Sequence, residues 1–204
     1  DAVVDIFLGN GDGSFKARTS FVSRSGAFGL EDVIINDFDG DGNLDLAATI
    51  QNDDTFHIFL GNGDGSFKST TSFETNVDAP VELVSKDLNN DGKLDLVLGG
   101  YTNGKFSIAL GNGDGSFGTA ASYDTLIGNF GDVVSGDFNQ DGIFDLALAD
   151  WIGANMEVRL GNADGSFASG SLLAVSTSAR ALETADVNGD GIADLLSGTS
   201  LFLG

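Results

Sequence analysis

The chain has 204 residues and a formal net charge of −22, from 31 acidic and nine basic side chains. That balance excludes nucleic-acid phosphates and anionic membrane surfaces as partners, since both are bound by clustered Lys and Arg. There is no cysteine, so disulfides play no part, and no apolar run reaches the roughly 18 residues of a membrane span.

In chain order, residues divide into units of approximately 1–25, 26–75, 76–125, 126–175 and 176–204. The first unit supplies the third and fourth strands of a four-strand pattern, and the last supplies strands one and two with part of a third. First strands are expected at 31–35, 81–85, 132–135 and 181–184. Each leads into an acidic loop, and second strands leave the loops at 45–48, 95–98, 145–148 and 194–196. Third strands at 4–8, 56–60, 106–110 and 156–160 alternate polar and apolar with period two. A glycine-rich turn follows, Leu8-Gly9-Asn10-Gly11-Asp12-Gly13-Ser14-Phe15. It returns from Leu60, Leu110 and Leu160 at spacings of 52, 50 and 50, with Ala163 for one glycine. Fourth strands carry Phe15 and Phe21, Phe67 and Phe73, Phe117 and Tyr123, Phe167 and Leu173. No segment has helical periodicity. Four-stranded antiparallel units of about 50 residues, repeated along a chain, are the blades of an all-β β-propeller.

The acidic loop reads Asp37-Phe38-Asp39-Gly40-Asp41-Gly42-Asn43-Leu44-Asp45, and recurs at 87–95, 137–145 and 186–194. The four loops hold 13 of the 31 acidic residues. So many carboxylates in nine residues repel one another unless a cation lies between them. The donors are hard oxygens, with neither sulfur nor imidazole, which selects Ca²⁺ over Zn²⁺ or Cu²⁺. An EF-hand needs an acidic residue at position twelve and flanking helices. Ala48, Leu98, Leu148 and Ser197 stand there instead, among strand-like flanks.

The paired motifs, Asp-x-Asp/Asn-x-Asp-Gly-x-x-Asp-Leu and Leu-Gly-Asn-Gly-Asp-Gly-Ser-Phe, resemble the FG-GAP/VCBS repeat family across essentially the whole chain. That family includes the propeller head of integrin α subunits and secreted bacterial and fungal proteins. The resemblance implies a calcium-loaded propeller with one Ca²⁺ per loop, four in all. It implies side-chain ligands at positions one, three, five and nine and a main-chain carbonyl at seven. The first set is then Asp37, Asp39, Asp41 and Asp45 with the Asn43 carbonyl; the second is Asp87, Asn89, Asp91 and Asp95 with Lys93. The third is Asp137, Asn139, Asp141 and Asp145 with Ile143; the fourth is Asp186, Asn188, Asp190 and Asp194 with Ile192. By charge count the first loop, with an extra Asp, should bind most tightly.

Asp12, Asp64, Asp114 and Asp164 are expected to shape hairpin turns rather than bind metal. Phe15, Phe67, Phe117 and Phe167 are expected to pack one unit on the next. His57 lies on the polar phase of a third strand, with Asp5, Ser107 and Glu157 in the other units, and is expected to be exposed and incidental. The acidic loops and glycine-rich turns should share one face of the array. The opposite face, where the copies differ, carries Phe28, Pro80, Tyr101, Asn103, Phe130, Trp151, Asn155 and Arg180. Variable loops on a fixed scaffold suit recognition, and Tyr101 and Trp151 are the candidate ligand-binding residues.

The expected function is a non-enzymatic, extracellular or cell-surface module for adhesion or recognition of protein or carbohydrate. Its partners would be a protein, a glycan or like subunits, with no nucleic acid and no membrane insertion. The chain starts at Asp1 without a signal peptide, so export is inferred from metal usage alone. Two alternatives stand: a fibre or array subunit whose blades are completed between chains, and a lectin or propeller attached to a carbohydrate-active enzyme. Catalysis has little support, since one histidine and no Ser-His-Asp arrangement are present.

Overall fold

The structure is a computed structural model that describes residues 2–24, 29–68, 70–102, 104–198 and 200–204. Phe28 and Asn103 lie outside the described residues. Five antiparallel sheets follow one another along the chain. The first pairs β1 (Ala2–Ile6) with β2 (Thr19–Arg24). The second is the meander β3 (Leu30–Asn36), β4 (Asp45–Ile50), β5 (Thr55–Phe59) and β6 (Thr71–Glu74). The third is β7 (Pro80–Lys86), β8 (Asp95–Gly100), β9 (Lys105–Ala109) and β10 (Ala121–Asp124). The fourth is β11 (Phe130–Gly136), β12 (Asp145–Asp150), β13 (Asn155–Arg159) and β14 (Ser171–Ala174). The fifth holds β15 (Leu182–Ala185), β16 (Asp194–Ser197) and β17 (Ser200–Phe202). All three complete meanders keep equivalent registers, such as Leu46↔Phe59, Leu96↔Ala109 and Leu146↔Arg159.

The sheets stack face to face, with β3, β7, β11 and β15 packed in succession along one side. Every residue of β4, β8 and β12 is buried. The third strands are covered on both faces too, with all of β5 and most of β9 and β13 buried, which corrects the single apolar face read from their alternation. It corrects the reading of His57 as well: the ring is buried, with Nε2 3.3 Å from Thr55 Oγ1. Ser107 and Glu157, at the same phase, are fully buried. Pro80 and Phe130 are also buried, so they belong to the packing rather than to the variable surface.

Phe67, Phe117 and Phe167 wedge between sheets, whereas Phe15, expected to do the same, is exposed. Phe117, from the turn of the third sheet, meets Phe38, Phe56 and Phe73 of the second with centroids 5.4–6.0 Å apart. Phe167 of the fourth meets Phe106 and Tyr123 of the third, and Phe67 of the second meets Phe21 of the first edge to face at 4.9 Å. Each wedge thus points back onto the preceding sheet. Truncating Phe117 to alanine is expected to cost about 3–5 kcal/mol, read as a lower urea midpoint at unchanged slope.

Candidate functional site

Each acidic loop is built by its own hydrogen bonds. Asp37 Oδ1 accepts from the Gly40 and Asp41 N–H groups at 2.8 and 3.2 Å, and Oδ2 from Gly42 at 2.9 Å. Asp39 Oδ1 accepts from Asp41 N–H at 3.1 Å, and Asp41 Oδ1 from Asn43 N–H at 2.8 Å. The same ladder holds Asp87, Asn89 and Asp91, with the Lys93 N–H bonded to Asp91. It holds Asp137, Asn139 and Asp141 with the N–H of Ile143, and Asp186, Asn188 and Asp190 with that of Ile192. The turn needs positive φ at position six, met by Gly42 at 85°, and again at position four, which the motif reading missed. There Gly40 and Gly189 fit freely, whereas Asn90 and Gln140 are held at 57° and 61°. Gln140→Gly is therefore expected to stabilise the fold by about 0.5–1 kcal/mol in a denaturant titration.

The position-nine aspartates stand apart. Asp45, Asp95, Asp145 and Asp194 are fully buried. Asp95 Oδ2 accepts from Leu88 N–H at 2.9 Å, and Oδ1 from Gly111 N–H at 2.9 Å. Asp45 binds Phe38 and Gly61 in the same way, Asp145 binds Phe138 and Gly161, and Asp194 binds Val187 and Gly204. Each carboxylate clamps the acidic loop to the segment that leaves the third strand. Burial pushes Asp95 and Asp145 above the usual aspartate range, against the lowering effect of these N–H donors.

Asp37, Asp39 and Asp45 bring carboxylate oxygens within 4.8 Å of one another. These donors are oxygen only and pre-arranged by backbone N–H groups, so the set fits a hard divalent cation. In the first loop Lys68 Nζ also lies 3.3 Å from Asp39 Oδ2 and 3.2 Å from Asp41 Oδ2. The glycine-rich turns lie on this same face. Asp12, Asp64, Asp114 and Asp164 each bond the N–H and hydroxyl of the serine two residues on, which holds them below the usual range. That is the turn-shaping role expected of them.

At the other end of the sheets, the N–H groups of Gln51, Tyr101 and Trp151 donate to Gly29, Ala79 and Asn129. This brings Tyr101 and Trp151, both 38% exposed, to one cavity of about 340 Å³. Glu31, Gln51, Val81, Glu82, buried Phe130 and Gly131 complete its wall. Arg180 stacks on the Trp151 ring at 4.9 Å, and Asn155 is half-buried at the start of β13. Backbone irregularities at Leu30/Val33, Pro80/Glu82 and Phe130/Asp132 shape the inner rim.

Glu82 is pushed up to about 8, first by burial and then by Asp32 and Asp132. The folded state therefore holds a proton that the unfolded chain releases above its ordinary value of 4.5. This contribution to stability is full below pH 4.5 and lost as pH rises through about 8. Glu82→Gln should flatten that decline, gaining about 1–2 kcal/mol over the parent at pH 9 once solvent screening is allowed for. Thermal melts of both proteins across pH 4–9 would read it.

The FG-GAP-like repeat pattern matches residues 37–85, 87–148 and 137–197, more than three quarters of the chain. The chain belongs to the FG-GAP-like repeat family. Each match begins on a position-one aspartate of an acidic loop, Asp37, Asp87 or Asp137. A search of curated proteins finds no match. Among solved structures, this FG-GAP-like chain is similar to an Agrocybe aegerita lectin described by its specific recognition of non-reducing terminal N-acetylglucosamine. Identity is 26% and TM-score 0.64, over 94% of this chain and 53% of the lectin. It is also similar to BBS1N in a complex with ARL6DN, at 15% identity and TM-score 0.59, over 95% of this chain and 53% of that one. The chain thus spans about half the length of these structures. The BBS1N likeness shows the fold alone. Together they give an all-β, propeller-like array of four-stranded antiparallel sheets. Helical flanks, and with them the EF-hand alternative, are excluded for the acidic loops, which join β3–β4, β7–β8, β11–β12 and β15–β16. Among the described residues no helix is long and apolar enough to cross a membrane.

Proposed function

We propose that this chain is a calcium-stabilised β-propeller module that recognises a glycan at the cavity between Tyr101 and Trp151. The observation that carries the reading is the composition of that wall. Two half-exposed aromatic rings can cover the C–H face of a sugar, while the Glu31, Gln51 and Glu82 side chains can bond its hydroxyls. The likeness to a lectin supports carbohydrate as the ligand class. A binding role rather than a catalytic one, and an extracellular or cell-surface setting, complete the reading. Trp151→Ala and Tyr101→Ala should each weaken binding of glycan-array hits by about tenfold or more. Full binding by both variants would sink the assignment.

Calcium would be held by Asp37, Asp39, Asp41, Asp45 and the Asn43 carbonyl, and by the equivalent groups of the other loops. When bound it supplies charge neutralisation between strands one and two of each blade. Chelation should then lower the melting temperature by about 10 °C or more, because clustered carboxylates repel without their ion. An unchanged melt would count against structural calcium.

Phe15 favours a second reading, in which a further sheet of the same protein or of a like subunit covers the first one. Phe15 is 66% exposed, whereas its equivalents Phe117 and Phe167 are 8% exposed as wedges. An apolar cavity of about 220 Å³ lined by Phe138, Leu173, Leu195 and Phe202 lies beside the fifth sheet, where another wedge would fit. Sedimentation that depends on concentration, and is abolished by Phe15→Ser, would support assembly; a monomer at all concentrations would remove it.

A further inference from the structure

The first acidic loop differs from the third and fourth in how it satisfies the Oδ2 atom of its position-five carboxylate. In the third and fourth loops the position-three amide donates to it: Asn139 Nδ2 lies 2.9 Å from Asp141 Oδ2, and Asn188 Nδ2 lies 2.8 Å from Asp190 Oδ2. Aspartate cannot donate, so Asp39 would only repel Asp41. Lys68 supplies what is missing. Its ammonium bridges Oδ2 of Asp39 and Oδ2 of Asp41, while Oδ1 of each accepts a loop N–H.

Among the described residues a lysine bridges two loop carboxylates only in that repeat; in the second loop Lys93 Nζ reaches Asp91 Oδ2 alone, at 3.6 Å. Lys68 is equivalent to Gly118 and Ala168, since each donates its N–H to the leucine that opens its glycine-rich turn. An Asp with a Lys in one unit thus stands where an Asn with a small residue stands in the next two. With Lys68 included, the first loop carries the same net charge as the third and fourth, while Lys93 leaves the second one charge less negative.

We propose that Lys68 is a tethered counter-cation, which completes the first loop without metal and competes with a divalent cation for Asp39 and Asp41. The proposal rests on the calcium reading above and reverses the ranking drawn from carboxylates alone. The first loop binds no more tightly than the third and fourth because its extra charge is already partnered.

The test compares the whole chain with Lys68→Met and with Lys16→Met, which changes the equivalent lysine of the first sheet. Calcium titration by calorimetry and melts in chelator are the two readouts. Lys68→Met should create one calcium site about five- to thirtyfold tighter than the rest, the effect of removing one charge about 4 Å from a divalent ion in water. It should also melt lower than the parent in chelator, and adding Asp39→Asn should reverse both changes. Calcium uptake by the parent with Lys68→Met indistinguishable from Lys16→Met overturns the Lys68 assignment alone. No uptake by the parent overturns the calcium reading and this one together.

Discussion

Replacing Asp95 by alanine is expected to cost about 3–5 kcal/mol, a large share of the roughly 5–15 kcal/mol that holds a domain together. Both carboxylate oxygens accept buried backbone donors, from Leu88 and Gly111. Alanine strands both N–H groups at a penalty of about 1–3 kcal/mol each, and empties part of the site as well. Water cannot fill in readily, because the side chain is fully buried. Asparagine should fall between, since its oxygen replaces one acceptor and its amide meets the other donor head on. The measurement belongs in chelator, so that any lost metal ligand does not add to the loss of the clamp. Urea midpoints of the three proteins should rank Asp, Asn, Ala. Equal midpoints would mean that the clamp contributes nothing, and that position nine matters only for metal.

The second large effect concerns Glu157 and Arg159, side by side on β13. Glu157 is fully buried, and its Oε1 lies 2.6 Å from Arg159 Nε. Its Oε2 accepts from Leu126 N–H at 2.6 Å, across the gap to the preceding sheet. Arg159 donates further to the Asp124 and Ala168 carbonyls and lies over the Phe106 ring at 5.2 Å. Glu157→Ala leaves a buried guanidinium without its counter-ion, which costs about 3–5 kcal/mol. Replacing both residues by methionine should stay within about 1 kcal/mol of the parent, because neither charge is then stranded. The other repeats place Phe59, Ala109 and Phe202 at the position of Arg159, so the site accepts apolar groups. A double variant as weak as the single one would show that the pair, and not its pairing, stabilises the interface.

The strands and loops were legible because turn chemistry and period-two alternation are local signals. The Asp-rich and Asn-Gly-Asp-Gly stretches fix their own backbones, so their positions follow from the residues themselves. Grouping Tyr101 with Trp151 was legible too, since a four-strand meander forces both connections to one end. Burial was not. The alternation in β5 and β13 marks two faces, but a single repeat carries no sign that a sheet covers each of them. His57 and Glu157 therefore read as surface residues, and Pro80 and Phe130 as loop features. Lys68 escaped for a related reason: it reaches the first loop from beyond the next turn, so a motif-by-motif count of charge omits it. The backbone strain at Gln140 was hidden because position four tolerates several residue types in sequence while requiring one conformation.

The backward-pointing wedges set a direction in the array. Phe117 is encoded with the third sheet, yet its contacts lie on Phe38, Phe56 and Phe73 of the second. The cooperative unit is therefore offset from the written repeat: a sheet is finished only when the following turn has arrived. During synthesis each blade would wait for the next to emerge before becoming resistant to unfolding. Damage should travel the same way, so that substituting Phe117 loosens amide protection first in β5 and β6, upstream of the change.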